Sequence, residues 1–507
     1  MRGILAALTL LFVVALPPVG PGAAAGAAEE PPLPAMPSEK GQQEEPAEEA
    51  GPPLPEMGGP AGETGPPLPE TPGEGNGPPA PPLPPAEGEA APEAEPGPET
   101  WSQALDRQLQ GLPFPLHGFW ETRIGPRYVE DNDHSRDFSL GETRLQLESN
   151  PFWRDVQFTF KADFVYDAVT REALVEVREA NAAFSPLPFM DVEAGRQILT
   201  WGTGDLVFLN DLFPKDYVSF FIGRDVEYLK APSDAVKVSL FSDPVNLDLV
   251  YTPHFDPDTF VTGKRLSYFN PLTGARAGED TRLRTDEPES WFQDEELAAR
   301  LYRSVGSYEL AAYGYHGFWK SPRGIDPASR LFTHPELNAW GASVRGPFAA
   351  GIGNVEFSYY DSTDDRDGTD PFVPNSQLRF VAGYSQDMPR LMQDFTVGVQ
   401  YYLERILDHE ELEDALPPGF PEPDENRHVF TVRLTKLLLQ QDMTVSLFTF
   451  WSPSDHDAYL RPYVSYDITD RWRIDGGANI FFGDDPHTQF SQFDRNSNVY
   501  LGLRYSF

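Results

Sequence analysis

Cysteine is absent from this 507-residue sequence, and basic residues are scarce. The lack of Cys excludes a disulfide scaffold, thiolate metal sites and thiol catalysis. The chain has 39 Lys and Arg against 79 Asp and Glu, giving a formal net charge of −40. This acidity disfavours nucleic acid as a partner. Beyond the N-terminus no apolar run reaches the length of a membrane-spanning helix, which excludes an α-helical membrane protein.

The N-terminal segment, residues 1–28, has the pattern of a secretory signal peptide. One basic residue, Arg2, precedes an apolar run over residues 4–16, and small residues around Ala25 offer a cleavage site. The apolar run is too short to span a bilayer as a helix. The segment therefore predicts export of the chain. An uncleaved apolar anchor is the alternative.

Residues 29–100 form a low-complexity linker with 22 Pro, 11 Gly and 16 Glu but no aromatic residue. Such a composition cannot bury a core, and its repeated Pro-Pro-Leu-Pro motif favours an extended polyproline II conformation. We expect either a spacer that binds a periplasmic or cell-wall partner, or a solvated tail without a partner. Residues 101–112 follow, where Trp101, Leu105 and Leu109 have helical spacing and predict a short amphipathic helix.

From residue 116 to residue 507 the hydrophobic pattern has a period of two. Over residues 155–164 polar and apolar residues alternate, which places Phe158, Phe160 and Phe164 on one face of a strand. We find about eighteen such segments, and their length suits tilted strands that cross a bilayer. A count of sixteen stays open because sequence patterns place strand ends only to within about 2 to 4 residues.

Short turns, such as residues 347–350, alternate with long polar loops, such as residues 253–294. One rim of short turns and one rim of long loops is typical of an outer-membrane barrel. The sequence therefore predicts an all-β, antiparallel transmembrane β-barrel over residues 113–507. The count of eighteen requires residues 225–241 to form one strand, interrupted near Pro232. A soluble β-sandwich or propeller is the alternative.

The end of the chain carries the most specific signal. Apolar and polar residues alternate up to the last residue, and the chain ends on an aromatic. Here the sequence resembles bacterial outer-membrane barrels, whose last strand with a terminal Phe is recognised by the outer-membrane assembly machinery. Tyr505 and Phe507 match that signal. Other stretches resemble a porin-like family of Gram-negative outer-membrane proteins, largely of unassigned function: residues 195–202, 211–216 and 252–258. This resemblance implies a barrel and no specific substrate.

The side chains opposite Phe158 are expected to face the barrel lumen, and many are charged. A dry interior could not solvate so many ions, so a hydrated channel is predicted. Alternatively, or in addition, these ions pair across the wall and stiffen it. Basic residues are frequent toward the C-terminus of this face, which favours anionic or polyhydroxylated solutes. The basic residues predicted to line the pore are Arg144, Lys161, Arg379, Arg433, Arg461, Arg473 and Arg504.

The third long loop, residues 202–223, is too apolar for an exposed loop. The porin resemblance implies that a third extracellular loop folds into the lumen and narrows it. We expect this loop to form the constriction and to place charges opposite Arg residues of the wall. Those charges are Asp205, Asp211, Lys215 and Asp216. Packing at the subunit contact of an oligomer is the alternative.

Catalytic and cofactor signals are lacking. His316 and His334 occur without a nucleophile motif, and no phosphate-binding glycine loop is present. The acidic stretch 361–370 matches a calcium loop only weakly, so we predict no metal and no cofactor. The predicted function is an outer-membrane channel for passive diffusion of small hydrophilic solutes, surrounded by lipid and lipopolysaccharide. The alternatives are a polysaccharide-export barrel, a structural scaffold barrel with a periplasmic tether, and an enzyme at the barrel rim.

Overall fold

The computed structural model describes residues 107–109 and 111–507. The predicted signal peptide and linker lie outside the described residues, and so does most of the helix predicted over residues 101–112. Residues 107–109 of that helix are helical. Within the described part, no helix has the length and apolar character needed to cross a membrane.

Eighteen antiparallel strands of the described chain pair into one closed sheet. Each strand pairs with its neighbours in chain order, and the first strand pairs with the last through six residues from Phe119 to Ile124. The strands are β1 His117–Pro126, β2 Phe138–Ser149, β3 Val156–Asp167, β4 Glu172–Leu187, β5 Met190–Ile198, β6 Pro232–Leu240, β7 Asn246–Thr252, β8 Glu296–Val305, β9 Tyr308–Phe318, β10 Glu336–Phe348, β11 Gly351–Ser362, β12 Gln377–Asp387, β13 Phe395–Ile406, β14 Asn426–Leu438, β15 Met443–Ser452, β16 Asp457–Asp467, β17 Trp472–Gly483 and β18 Asn498–Ser506.

The alternation of polar and apolar residues along each strand determines which face of the barrel wall contacts lipid. On β3, Phe160 and Phe164 are 50% and 45% exposed, whereas Asp163 on the other face is fully buried inside the barrel. Exposed apolar side chains recur on strands all around the barrel: Trp120, Ile124, Val175, Leu249, Leu301, Trp340, Phe357, Val399, Phe430, Trp451 and Leu501. In a closed barrel every strand has a hydrogen-bonding partner on both sides, and an apolar outer band suits hydrocarbon. The chain is a transmembrane β-barrel of the outer-membrane type.

The connections alternate between two rims, as the sequence pattern predicts. Turns such as 188–189, 306–307 and 349–350 lie on the rim where the barrel begins and ends, and the long loops lie on the opposite rim. On the long-loop rim, residues 168–171 and 453–456 form short connections. This alternation places the third loop of the long-loop rim between β5 and β6.

One strand is shorter than the sequence analysis predicts. β6 begins at Pro232, and the preceding Val226–Leu229 forms a 3₁₀ helix capped by the Asp225 side chain. Proline has no backbone N–H to donate, so it suits the first residue of a strand and not its interior. The prediction of one strand over residues 225–241 is therefore wrong. The third loop, called loop 3 below, spans residues 199–231.

Smaller elements lie in the loops and turns. Loop 3 contains the helix α1 (Tyr217–Ile222), and the loop between β13 and β14 contains α2 (His409–Ala415). The remaining elements are the 3₁₀ helices Leu439–Gln441 and Ser491–Asn496 and the short strands Phe152–Trp153, Tyr268–Asn270, Ala275–Ala277, Thr285–Asp286, Gly324–Asp326 and Leu331–Thr333.

The C-terminal residue lies at the seam where the barrel closes. The Phe507 N–H donates to the Gly118 carbonyl at 2.9 Å, and the Gly118 N–H donates back at 3.0 Å. The Tyr505 ring lies 4.9 Å from the Trp472 ring and 6.4 Å from the Phe507 ring. The part of Tyr505 and Phe507 in assembly stays a prediction.

Candidate functional site: the constriction in the barrel lumen

Loop 3 lies inside the barrel, and α1 anchors it to the wall. Phe220, Phe221 and Ile222 are buried in a cluster with aromatic residues of β15 to β17. The Phe221 ring lies 5.7 Å from the Tyr459 ring and 5.5 Å from the Phe481 ring. Burial of aromatic rings is a large stabilising contribution, so α1 is held firmly against this part of the wall.

Both ends of α1 are fixed by residues suited to them. The Asp216 carboxylate accepts from the Ser219 N–H at 2.8 Å and caps the N-terminus. Gly223 ends the helix with φ of +93°, and a Cβ at that position would lie 2.2 Å from the Tyr500 ring. Glycine is therefore needed at residue 223 both for the left-handed backbone and for the close approach to Tyr500.

Polar contacts anchor the start of loop 3 to β11, β13 and β14. The Glu356 carboxylate accepts from the Gly204 N–H at 2.9 Å and from Asn210 at 3.0 Å. The Gln400 side chain bonds both the N–H and the carbonyl of Asp205, at 2.7 and 2.8 Å. Arg433 donates two bonds to the Asp205 carboxylate at 2.5 and 2.7 Å. Loop 3 is thus tied to several strands and crosses the lumen.

A cavity remains between loop 3 and the wall formed by β1 and β14 to β18. Together with the open solvent at its mouth, it includes about 1000 Å³ of space not filled by atoms. Loop 3 contributes Leu206, Arg224, Asp225, Val226 and Glu227 to its lining. The wall contributes Arg123, Arg433, Thr444, Ser446, Phe448, Arg461, Tyr463, Ser465, Asp467, Arg473, Tyr500 and Arg504. We call this space the constriction cavity.

Most of the arginines of the constriction cavity are in ion pairs. Arg473 donates to Asp467 at 2.6 Å, and Arg504 contacts Glu121 at 2.9 Å and Asp225 at 3.2 Å. The pairing of lumenal ions considered in the sequence analysis thus occurs in the wall. This pairing leaves fewer uncompensated charges on the inner wall than the number of charged residues alone implies.

Arg461 differs from the other arginines of the cavity. Within the described residues no carboxylate lies at ion-pair distance from its guanidinium, and its Nε has no hydrogen-bond partner. The guanidinium instead lies 3.9 Å from the centre of the Phe220 ring. An arginine stacked on an aromatic face keeps its N–H donors in the plane of the guanidinium available for another acceptor.

The structure places the four predicted loop charges in three different environments. Asp205 lies beside the constriction cavity in its pair with Arg433. Asp211 and Lys215 form a buried ion pair at 2.8 Å and are not among the residues that line the cavity. Asp216 caps α1 and lies 3.8 Å from Arg224.

The seven predicted basic residues of the wall divide into two groups. Arg433, Arg461, Arg473 and Arg504 line the constriction cavity. The other three are in ion pairs elsewhere on the inner face. Arg144 is buried between Asp163 and the Tyr228 ring, Lys161 pairs with Glu148 at 3.2 Å, and Arg379 pairs with Glu404 at 3.3 Å.

Two acidic residues of the cavity are not predicted as cavity residues from the sequence. The sequence pattern predicts a strand for Asp225 and Glu227, whereas they belong to the 3₁₀ segment of loop 3 that faces the arginines. Burial raises the pKa of Glu227 above the usual range, and the neighbouring Asp225 raises it further. Pro232, as the first residue of a strand, is the sequence signal that assigns both acids to the loop.

Comparison with known proteins adds similarities of fold. No family model matches the sequence, and no curated protein matches it. Among solved structures, OccAB3 of Acinetobacter baumannii is 11% identical with a TM-score of 0.49, over 77% of this chain and 98% of that one. OccD3 (OpdP) of Pseudomonas aeruginosa is 10% identical with a TM-score of 0.44, over 77% and 91%. A mutant of the Rh. blastica porin is 11% identical with a TM-score of 0.34, over 78% and 100%. The barrel assignment rests on this chain's own strand pairing and apolar outer face.

Proposed function

We propose that the protein is an outer-membrane channel for passive diffusion of small hydrophilic solutes, with a preference for anionic or polyhydroxylated ones. The observation that carries this proposal is the constriction cavity, where loop 3 faces a wall of arginines and hydroxyl side chains. A polar opening through a closed barrel passes water-soluble molecules, and the residues at its narrowest part select among them. Outer-membrane lipid surrounds the barrel, with lipopolysaccharide as the predicted contact of its outer leaflet.

Arg461 is the residue of the cavity best suited to contact an anion. Its guanidinium has no carboxylate partner within the described residues, and the hydroxyl side chains of Ser446 and Ser465 line the same cavity. A guanidinium and nearby hydroxyls bind carboxylates and phosphates and also hydrogen-bond to polyols. The contacts of loop 3 with several strands narrow the lumen, which favours small solutes over a polymer.

Substitution of Arg461 tests the preference for anions. In planar bilayers under a KCl gradient, Arg461→Gln is expected to lower the ratio of chloride to potassium permeability by about threefold, because an unpaired positive charge is lost at the constriction. Arg300→Gln is the matched control, since Arg300 on β8 pairs with Glu309 at 2.6 Å and does not line the cavity. Equal reversal potentials for Arg461→Gln and the unmodified protein would refute the preference.

Solute size is tested by liposome swelling. Liposomes that contain the full chain are expected to swell in small sugars and in sodium gluconate, and to exclude dextran. Passage of dextran would instead support the polysaccharide-export alternative. No swelling in any solute would support the scaffold alternative.

A further inference from the structure

Three stretches of the chain, residues 195–202, 211–216 and 252–258, meet at the base of loop 3. Thr200, from the stretch 195–202, donates to the Asp211 carboxylate at 2.7 Å. The backbone N–H of Lys215, in the stretch 211–216, donates to the Asp258 carboxylate at 2.7 Å. Asp258 lies in the stretch 252–258. The side chains of Thr200, Asp211, Lys215 and Asp258 are called the clasp below.

The clasp contains a buried ion pair. The Lys215 ammonium lies 2.8 Å from the Asp211 carboxylate and donates to the Phe213 carbonyl at 2.8 Å. The two charged side chains are 2% and 1% exposed. A buried charge is costly unless it is paired and hydrogen-bonded, so each member of this pair requires the other in place.

Asp258 joins loop 3 to the two loops that follow it. Its carboxylate accepts from the Ser321 hydroxyl at 2.6 Å, and its N–H donates to the Lys320 carbonyl at 2.9 Å. The next residue, Thr259, donates its N–H to the Lys215 carbonyl at 2.8 Å and accepts from the Tyr217 N–H at 3.0 Å. The chain just before α1 is therefore fixed by both backbone and side-chain bonds.

The C-terminal part of loop 3, residues 229–231, is hydrogen-bonded to the residues just before α1. The Asp216 N–H donates to the Leu229 carbonyl at 2.7 Å, and the Ala231 N–H donates to the Pro214 carbonyl at 3.1 Å. Residues 217–228, which include α1 and the acidic residues of the constriction cavity, thus project from a base that is closed by hydrogen bonds. None of the four clasp side chains lines the cavity.

We propose that the clasp sets the position of residues 217–228 in the lumen, so that Thr200, Asp211, Lys215 and Asp258 are positioning residues of the constriction. The proposal builds on the proposed channel function, in which this segment forms one side of the cavity. It gives these residues, none of which lines the cavity, a role other than contact with solute. Loosening the clasp moves Asp225 and Glu227 relative to the arginines of the wall.

A distance measurement across the constriction cavity tests the clasp directly. The chain has no cysteine, so spin labels attach only at two introduced sites, Val226→Cys on loop 3 and Thr444→Cys on β15, which line opposite sides of the cavity. Pulsed electron paramagnetic resonance on the refolded barrel then gives the distribution of distances between the labels. In the labelled parent we expect one narrow distribution.

Lys215→Met and Asp258→Ala are expected to broaden this distribution about twofold, because a segment released from its base samples more positions. Lys264→Met is the matched control, since it removes the exposed pair with Glu172 at 2.7 Å in a loop of the same rim. If the variants at Lys215 and Asp258 do not fold, Thr200→Val provides the test of the clasp, because it removes only one hydroxyl group. Unchanged distributions in folded Asp258→Ala and Thr200→Val would overturn the clasp. The distance measurement does not depend on ion conduction. Its result therefore distinguishes a failure of the clasp from a failure of the proposed channel function.

Discussion

An acidic residue in the 3₁₀ helix of loop 3 is expected to make the charge of the constriction cavity depend on pH. Glu227 lies beside Asp225, and burial followed by this second carboxylate raises the pKa of Glu227. The cations of Arg504, Lys161 and Arg178 act in the opposite direction and do not outweigh burial. Glu227 therefore binds a proton at a higher pH than an ordinary Glu, while the arginines of the wall keep their charge.

The preference for anions is accordingly expected to increase as the pH falls. Protonation removes a negative charge from the constriction cavity, so the reversal potential under a KCl gradient should move toward that of chloride as the pH is lowered, at pH values above those at which an ordinary Glu titrates. In Glu227→Gln the same titration should be nearly flat, because residue 227 no longer loses a charge. An equal pH dependence in the variant and the parent would show that another group is responsible.

The location of some site residues could be predicted from the sequence, and that of others could not. Arg433, Arg461, Arg473 and Arg504 could be predicted because they lie in regular strands, where a period of two fixes the inner face. The surroundings of Asp211 and Lys215 could not be predicted. Their burial depends on contacts with Thr200 and Asp258, which come from other segments of the chain.

At the scale of elements, the position of α1 depends on the glycine at its end. Gly223→Ala introduces a Cβ into a left-handed backbone, which costs about 1–2 kcal/mol, and the Cβ would lie 2.2 Å from the Tyr500 ring. The variant is expected to lower the free energy of unfolding of the detergent-solubilised barrel in urea, and to change its single-channel conductance.

Gly306→Ala provides the matched control for this change. Gly306 also has positive φ, of +60°, but no atom lies within 4 Å of the added Cβ. It should therefore show the backbone cost alone and leave conductance unchanged. If the two variants lose the same unfolding free energy and conduct alike, the packing of α1 against Tyr500 does not control the constriction.

Strands were predictable where their pattern is local, and loop 3 was not. The alternation on β3 alone indicates which face carries Phe160 and which carries Asp163, because side-chain direction in a strand follows from residue parity. The bounds of loop 3 depend on Pro232 and on a 3₁₀ helix over Val226–Leu229. Its partners on β11, β13 and β14 are more than a hundred residues away in sequence, so no local pattern identifies them.

At the scale of the molecule, the proposed channel function requires a closed barrel whose lumen is narrowed by loop 3 but stays open. The closed sheet and apolar outer face explain how the chain crosses a bilayer. Loop 3 and its contacts with the inner wall occupy part of the lumen. In the proposed function, the constriction cavity is the route for a solute.

Single-channel recording of the full chain in planar bilayers tests whether the barrel is an anion-preferring channel. Stepwise current increments are expected as molecules insert, with a reversal potential under a KCl gradient on the chloride side of zero. A correctly folded barrel that inserts and carries no current would contradict this expectation, and so would a current selective for potassium.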